Sequence, residues 1–446
     1  MVEERTRQAR CHRPRRTERL GAQTAYGDGV RLAADRMASL ARTAYDGEGP
    51  GMSNRQVIRL VLLAAGVGLL AGISAALTLW LMQQVSHAVW SISDAIWYIP
   101  LVTVAGGALI GLTRLHGPSP DLDQQIAEAQ DPVHLHRRKA LFIALAAIVA
   151  VGFGGAIGPE AGLLAVVAEM TAAIAIVLGR SHADQRVIGE AGVSGALSGL
   201  FGSPLGGAAY ADDKPQAPRA LLLLAALCGL LGFLLAGRLL FDGGLHRLAL
   251  PAYAPAGDGT DLLMAIVPAI LGAAIGMAFL FLHPMLKRAV EIRAPWPFWQ
   301  PVIGGAMFGL LAMAFPILRF SGHHEIEPML AWAGGVGMAV LLLLGVLKVL
   351  ALSICLSTGW LGGAMFPLIF AGAAAGAAAL AVIPGMEVSV AIAAGMGAAT
   401  AAGLGRPIAA VLIMLFIVDP ALFGPLCVGA LFGYAGGMLA PKPVAH

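Results

Sequence analysis

Gly154-Gly155-Ala156-Ile157-Gly158-Pro159 and Gly362-Gly363-Ala364-Met365-Phe366-Pro367 are two versions of one pattern, Gly-Gly-Ala-apolar-x-Pro, each opening an apolar run. Proline suits the first turn of a helix, where its missing N–H is not needed. The glycines remove side chains, so an ion can approach the backbone. A helix start of this kind presents free N–H groups and about half a positive charge. Two of them converging at mid-membrane depth make an anion site without lysine or arginine. A partial charge also releases its anion more readily than a buried full charge would. The same pattern can mark a plain helix break, and the pair alone leaves both readings open.

The pair belongs to a longer repeat. Val104-Ala-Gly-Gly-Ala-Leu-Ile-Gly-Leu112 matches Val302-Ile-Gly-Gly-Ala-Met-Phe-Gly-Leu310. Ala191-Gly…Gly202-Ser-Pro204 matches Ala394-Gly…Gly405-Arg-Pro407 with equal internal spacing. Gly68 and Gly72 in the first half answer Gly272 and Gly276 in the second. Close packing by small residues explains any one match. Four in the same order point to a duplication, the device from which many membrane transporters are built.

Composition sets the solvent. Of 446 residues, 58% are hydrophobic and only 12% charged. A soluble domain carries about twice that charge, so the chain needs lipid around it. The apolar runs are continuous rather than alternating, which selects helices over a barrel. Net charge is +3, too small to suggest nucleic acid. The four cysteines (Cys11, Cys228, Cys355, Cys427) have no metal-ligand or paired spacing.

Residues 1–54 form an arginine-rich arm with no apolar stretch and cleavage site behind it, so a secretory signal is not expected. The arm reads either as a membrane-surface segment or as a cytoplasmic tail. A first membrane repeat is expected over 55–240, a connecting loop over 241–261, a second repeat over 262–440 and a tail over 441–446, with no soluble domain after it. Apolar segments fall at 57–85, 98–115, 139–152, 159–179, 188–212, 219–240, 262–283, 300–317, 330–356, 366–384, 388–402, 405–418 and 421–440. Several are too short to cross about 30 Å of hydrocarbon, as expected of half-helices that meet inside the membrane. The basic arm and the Lys287-Arg288…Arg293 turn are expected on the cytoplasmic side, and the 241–261 loop outside.

With these motifs in view, the chain resembles the chloride channel and transporter (CLC) family over residues 55–440. The family's anion-binding helix starts read roughly Gly-Ser-Gly-Ile-Pro, Gly-Lys/Arg-Glu-Gly-Pro and Gly-x-Phe-x-Pro. This sequence has His116-Gly-Pro-Ser-Pro-Asp-Leu-Asp123, Gly155-Ala-Ile-Gly-Pro159 and Gly363-Ala-Met-Phe-Pro367, in the same order. The resemblance implies an all-α fold of tilted and broken helices in an inverted repeat. It further implies a homodimer with one pore per subunit, in a bacterial plasma membrane.

The departures from the family bear on mechanism. The family's gating glutamate falls on Ile157, which can neither block an anion path by charge nor carry a proton. That favours passive, channel-like flow. Glu160, one residue past Pro159, reads either as a complement to the helix dipole or as a displaced gate, since an ionisable group in a membrane segment suggests function. Aligning Pro120 with the family proline puts Gly117 where a serine is expected. Ser119, two positions on, supplies either a hydroxyl to the ion or a cap for a short helix near Pro120. Met365 stands at the family's phenylalanine, with Phe366 beside it. The pore tyrosine falls on Pro441, and Tyr434 reads as packing. After Pro204-Leu205, Asp212 or Asp213 takes the place of an internal acid, or else forms a solvated helix end.

His323-His324-Glu325…Glu327 reads as a polar turn rather than a metal site. Arg406, beside Pro407, either draws anions to a vestibule or snorkels to the interface. No enzyme motif, nucleophile–base set or cofactor site stands out. The expectation is passive conduction of a small anion, chloride foremost. Backbone N–H groups of Ile157, Ala364 and Met365 would line the site, and Gly155, Gly158 and Gly363 would admit the ion beside Ala156, Pro159, Phe366 and Pro367. The alternatives are proton-coupled exchange through Glu160 with Asp212 or Asp213, and a membrane scaffold or enzyme without anion flux.

Overall fold

A computed structural model describes residues 53–115, 120, 122–130, 137–211, 215–241, 247–255, 257–294 and 296–440. The chain divides at Val61, and of the first unit only 53–61, the opening of α1, is described. Apart from the opening of α1, everything below concerns the second unit.

Its helices run α1 (Asn54–Trp90), α2 (Tyr98–Arg114), α3 (Leu122–Gln130), α4 (Arg137–Gly152), α5 (Glu160–Leu178), α6 (His182–Phe201), α7 (Pro204–Ala211) and α8 (Arg219–Leu240) in the first half. The second half holds α9 (Thr260–Met264), α10 (Ile266–Arg293), α11 (Trp299–Ala314), α12 (Ile326–Ala333), α13 (Met338–Ser357), α14 (Met365–Ala379), α15 (Val388–Leu404), α16 (Pro407–Ile417) and α17 (Phe423–Leu439). No strand occurs among the described residues. Several helices are long and apolar enough to cross a membrane, α5, α8 and α13 among them, while α2, α11, α14, α15 and α16 are shorter.

Two expected segments are broken. The run at 188–212 divides into α6 and α7 at Gly202, whose φ of +66° turns the chain before Pro204. The run at 330–356 divides into α12 and α13 at Gly334-Gly335-Val336-Gly337, where three glycines in four residues disfavour a helical turn. The 241–261 connection is not a free loop. Leu248 N–H donates to Ile417 O (2.8 Å), Ala249 N–H to Glu327 Oε1 (2.8 Å), and Ser389 Oγ to Pro251 O (2.6 Å).

Small residues set the helix spacing, as expected where lipid removes the usual hydrophobic drive between helices. In the first half, a Cβ on Gly68 would collide with Ala225 O and one on Gly229 with Gly195 O, so α1, α6 and α8 meet backbone to backbone. In the second, Gly272 meets Gly395 O and Gly433 meets Ala398 O, joining α10, α15 and α17. The repeat read from the sequence is thus a repeat of contacts.

Candidate functional site

Both Gly-Gly-Ala segments enter through the same turn. α4 ends with Gly155 N–H donating to Ala150 O (3.0 Å) around Gly154, at φ +84°. α13 ends with Trp360 N–H donating to Cys355 O (3.0 Å) around Gly359, at φ +86°. The spatial repeat therefore pairs Gly154 with Gly359 and Glu160 with Met365. The sequence match, which pairs Gly154 with Gly362, is out of register with it. The two proline positions drew the alignment off. Pro159 caps α5, whereas Pro367 is the third residue of α14.

The two segments then bond to each other. Gly158 N–H donates to Gly363 O (2.8 Å) and Gly363 N–H to Gly158 O (3.0 Å), an isolated antiparallel bridge. Immediately past the bridge, α5 and α14 begin. Leu163 N–H closes the first bond of α5, to Pro159 O (3.3 Å), and Leu368 N–H that of α14, to Ala364 O (3.1 Å). Ahead of them, the N–H groups of Glu160, Ala161 and Gly162 on one side, and of Ala364, Met365 and Phe366 on the other, have no backbone acceptor among the described residues. Those orphan donors are the partial positive charge of each helix start. Ile157 was expected among them and is not. Its N–H turns back to Gly155 O (2.8 Å), and its fully buried side chain fills the space left by Gly362.

Between the two starts lies the Glu160 carboxyl. The side chain is 0% exposed. A Cβ on Gly158 or on Gly363 would collide with its Oε2, so both glycines are needed for it to fit. Neither carboxyl oxygen has a hydrogen-bond partner among the described residues. The N–H groups of Glu160 and Gly363 act on it electrostatically, the latter already serving Gly158 O. An acid this deeply buried normally finds a partner.

Near this carboxyl, Gly155 lies against the Trp360 ring, whose Nε1 donates to Pro301 O (3.0 Å). The Phe366 ring reaches Phe201 (5.8 Å between centroids) and His323 (4.8 Å). Phe201 leads on to Tyr210 (5.5 Å). Tyr210 lies in the electrostatic reach of Glu160, Arg406 and Asp123. Sequence reasoning missed it, because nothing in Gly-Gly-Ala-Ala-Tyr marks one tyrosine as facing a distant acid.

Other candidates are placed as follows. Gly117, Ser119, Asp212 and Asp213 lie outside the described residues, and Pro120 stands just before α3, its O accepting from Gln125 Nε2 (3.1 Å). Arg406 neither snorkels freely nor stands open. It donates to Tyr210 O, pairs with Asp123 (3.0 Å) and covers the Tyr210 ring. Tyr434 is 44% exposed on α17. His323 stands in the expected turn, where Ser321 Oγ meets its Nδ1 at 2.7 Å and its ring packs on His324 and Phe366. The described residues contain no group of acids, histidines and cysteines able to hold a metal.

Comparison with known proteins gives this geometry a family. YfeO, named as an ion-transport protein, from Escherichia coli O1:K1 / APEC is 26% identical over 340 residues, covering 72% of this chain and 79% of that one. YfeO of Shigella flexneri matches to the same extent. The fold is similar to that of a slow cyanobacterial Cl−/H+ antiporter, at a TM-score of 0.70 and 20% identity over 85% of this chain and 94% of that one. It is also similar to a CLC-type fluoride/proton antiporter, at 0.65 and 18% over 86% and 96%. A eukaryotic CLC transporter gives 0.65 and 18% over 87% and 73%. The family model described as voltage gated chloride channel matches residues 118–437. With two broken helices tied start to start and that match spanning most of its length, the chain belongs to the voltage-gated chloride channel family of integral membrane proteins.

Proposed function

We propose that the chain carries a small anion, chloride foremost, through the gap between the starts of α5 and α14, and that Glu160 gates it. The observation that carries this is the Glu160 carboxyl, buried without a partner between Gly158 and Gly363. An anionic carboxylate there occupies the place where the helix starts would hold a permeant anion, and the two compete for the same donors. Protonation removes that competition, so the carboxyl links anion passage to protons. This reading favours exchange of anion for proton, and the antiporters of similar fold support it.

Passive conduction is the second reading. It is favoured by Ile157, which stands where the family's gate aligns and can hold no proton. Flux through proteoliposomes with chloride, fluoride and nitrate, measured at two pH values with and without a proton gradient, separates the two. Anion-driven proton movement supports exchange. Its absence, with anion flux intact, supports a channel. The basic N-terminal arm supports a cytoplasmic N-terminus. The enterobacterial relatives support a bacterial plasma membrane, and the family resemblance a homodimer.

A further inference from the structure

Lys348 is fully buried, and it lies in the middle of the apolar 20-residue helix α13. Its Nζ donates to Phe320 O (2.8 Å), Leu318 O (3.1 Å) and Arg319 O (3.4 Å). It also stands 5.2 Å from the centroid of Phe370 on α14. Glu325 acts on it electrostatically without an ion pair between them. Three donors thus meet three carbonyls of one turn, a match to the ammonium group.

That turn reaches the first helix start. Phe320 holds φ +57°, the only positive φ outside glycine among the described residues. In that conformation its N–H donates to Gly154 O (3.0 Å). Its ring meets Trp90 (5.9 Å), and the Arg319 guanidinium lies 4.6 Å from the Trp90 ring centroid. Trp90 in turn donates from Nε1 to Gly152 O (3.1 Å) and closes over Gly154. The segment leading to Gly158 is therefore clamped from two sides, and Lys348 secures one of them. A strained φ of this kind persists only where its surroundings over-determine it.

We infer that Lys348 is a positioning residue for the anion site, fixing the Leu318–Phe320 turn against Gly154 and so the spacing of the two helix starts. The inference rests on the reading of the Glu160 gap as the anion route.

The test uses full-length protein in liposomes with chloride as the probe, comparing Lys348→Met, Lys348→Gln, Phe320→Pro and the Lys348→Met/Phe320→Pro double variant. Proline has no N–H and cannot take a positive φ. Lys348→Met should raise the chloride concentration for half-maximal flux about tenfold, the scale on which supporting residues behind a binding shell act, with the maximal rate little changed. Lys348→Gln, keeping two donors, should fall between. Phe320→Pro should reproduce the shift, and the double variant should be no worse than the worse single one. An unchanged half-saturation in Lys348→Met, or losses that multiply in the double variant, overturns the inference. Should Lys348→Met not fold, Lys348→Gln decides: parental half-saturation refutes it and a clear rise supports it. Glu160→Gln run alongside separates the two failures. If it alters flux while Lys348→Met does not, only this inference falls. If it leaves flux and its pH dependence untouched, the reading of the gap falls and this one with it.

Discussion

Replacing Glu160 by glutamine keeps the shape of the side chain and removes its ability to ionise. The balance at this position can be set out from the structure. The carboxyl is 0% exposed and its oxygens are unpartnered, so its charge is held against a desolvation cost of several kcal/mol. Its place at the start of α5 returns up to about 2 kcal/mol through the helix dipole, and the start of α14 adds a second contribution of the same kind. Glu160→Gln gives up those terms together with the cost, so the folded protein should be as stable as the parent or more so in a thermal aggregation assay. The transport consequence is larger. Where only the protonated carboxyl lets an anion through, flux on the alkaline side of its titration falls up to about tenfold per pH unit, the limit for a single proton. Over two pH units the parent should span up to about 100-fold, while Glu160→Gln should run at the high rate at both ends and move no protons against the anion. Chloride efflux from proteoliposomes at two pH values, with internal and external pH clamped together, measures this. A folded Glu160→Gln that keeps the parent's pH slope, or that passes no anion at any pH, would refute the reasoning.

Other perturbations probe the scaffold. Gly272→Val places its Cβ against Gly395 O, and prising α10 from α15 should cost at least about 1–3 kcal/mol and diminish the folded peak in size-exclusion chromatography. Gly66→Ala is the matched control: nothing lies within 4 Å of that Cβ, so the helix should gain about 0.5–1 kcal/mol, and a loss would contradict the packing. Trp90→Phe removes the bond to Gly152 O and weakens the Arg319 contact. It should lower stability by about 1–3 kcal/mol, read as a fall in melting temperature. Asp123→Asn breaks the Arg406 pair, whose acid is 82% exposed, and should change stability by under about 1 kcal/mol. A larger effect in that assay would mean that the pair holds α3 in place.

The helical architecture and the two helix starts were legible because glycine and proline leave local marks that composition cannot hide. The register between the halves was not, because Pro159 and Pro367 do different jobs at their helices. Ile157 lost its expected role to a bond with Gly155 O, a fold-back with no sequence signature. Glu160 could be flagged as an acid in an apolar run, but its seat depends on the absence of side chains at Gly158 and Gly363, far apart in the chain. Lys348 carries the same flag, a lone charge inside Val-Leu-Leu-Leu-Leu-Gly-Val-Leu-Lys-Val-Leu, but its partners are the carbonyls of a turn contributed by another segment and leave no mark in the sequence. The turn at His323-His324 is legible in the same way, while the packing of the His323 ring on Phe366 leaves no mark in the sequence.

The reciprocal backbone hydrogen bonds between Gly158 and Gly363 would limit how the exchanger proposed above could alternate its access. A machine that rocks one half against the other would have to tear and remake that stitch at each turnover. With the stitch intact, α5 and α14 stay held start to start. On the exchange proposed above, access would then change by rotation of side chains such as Glu160 while Gly158 and Gly363 stay paired.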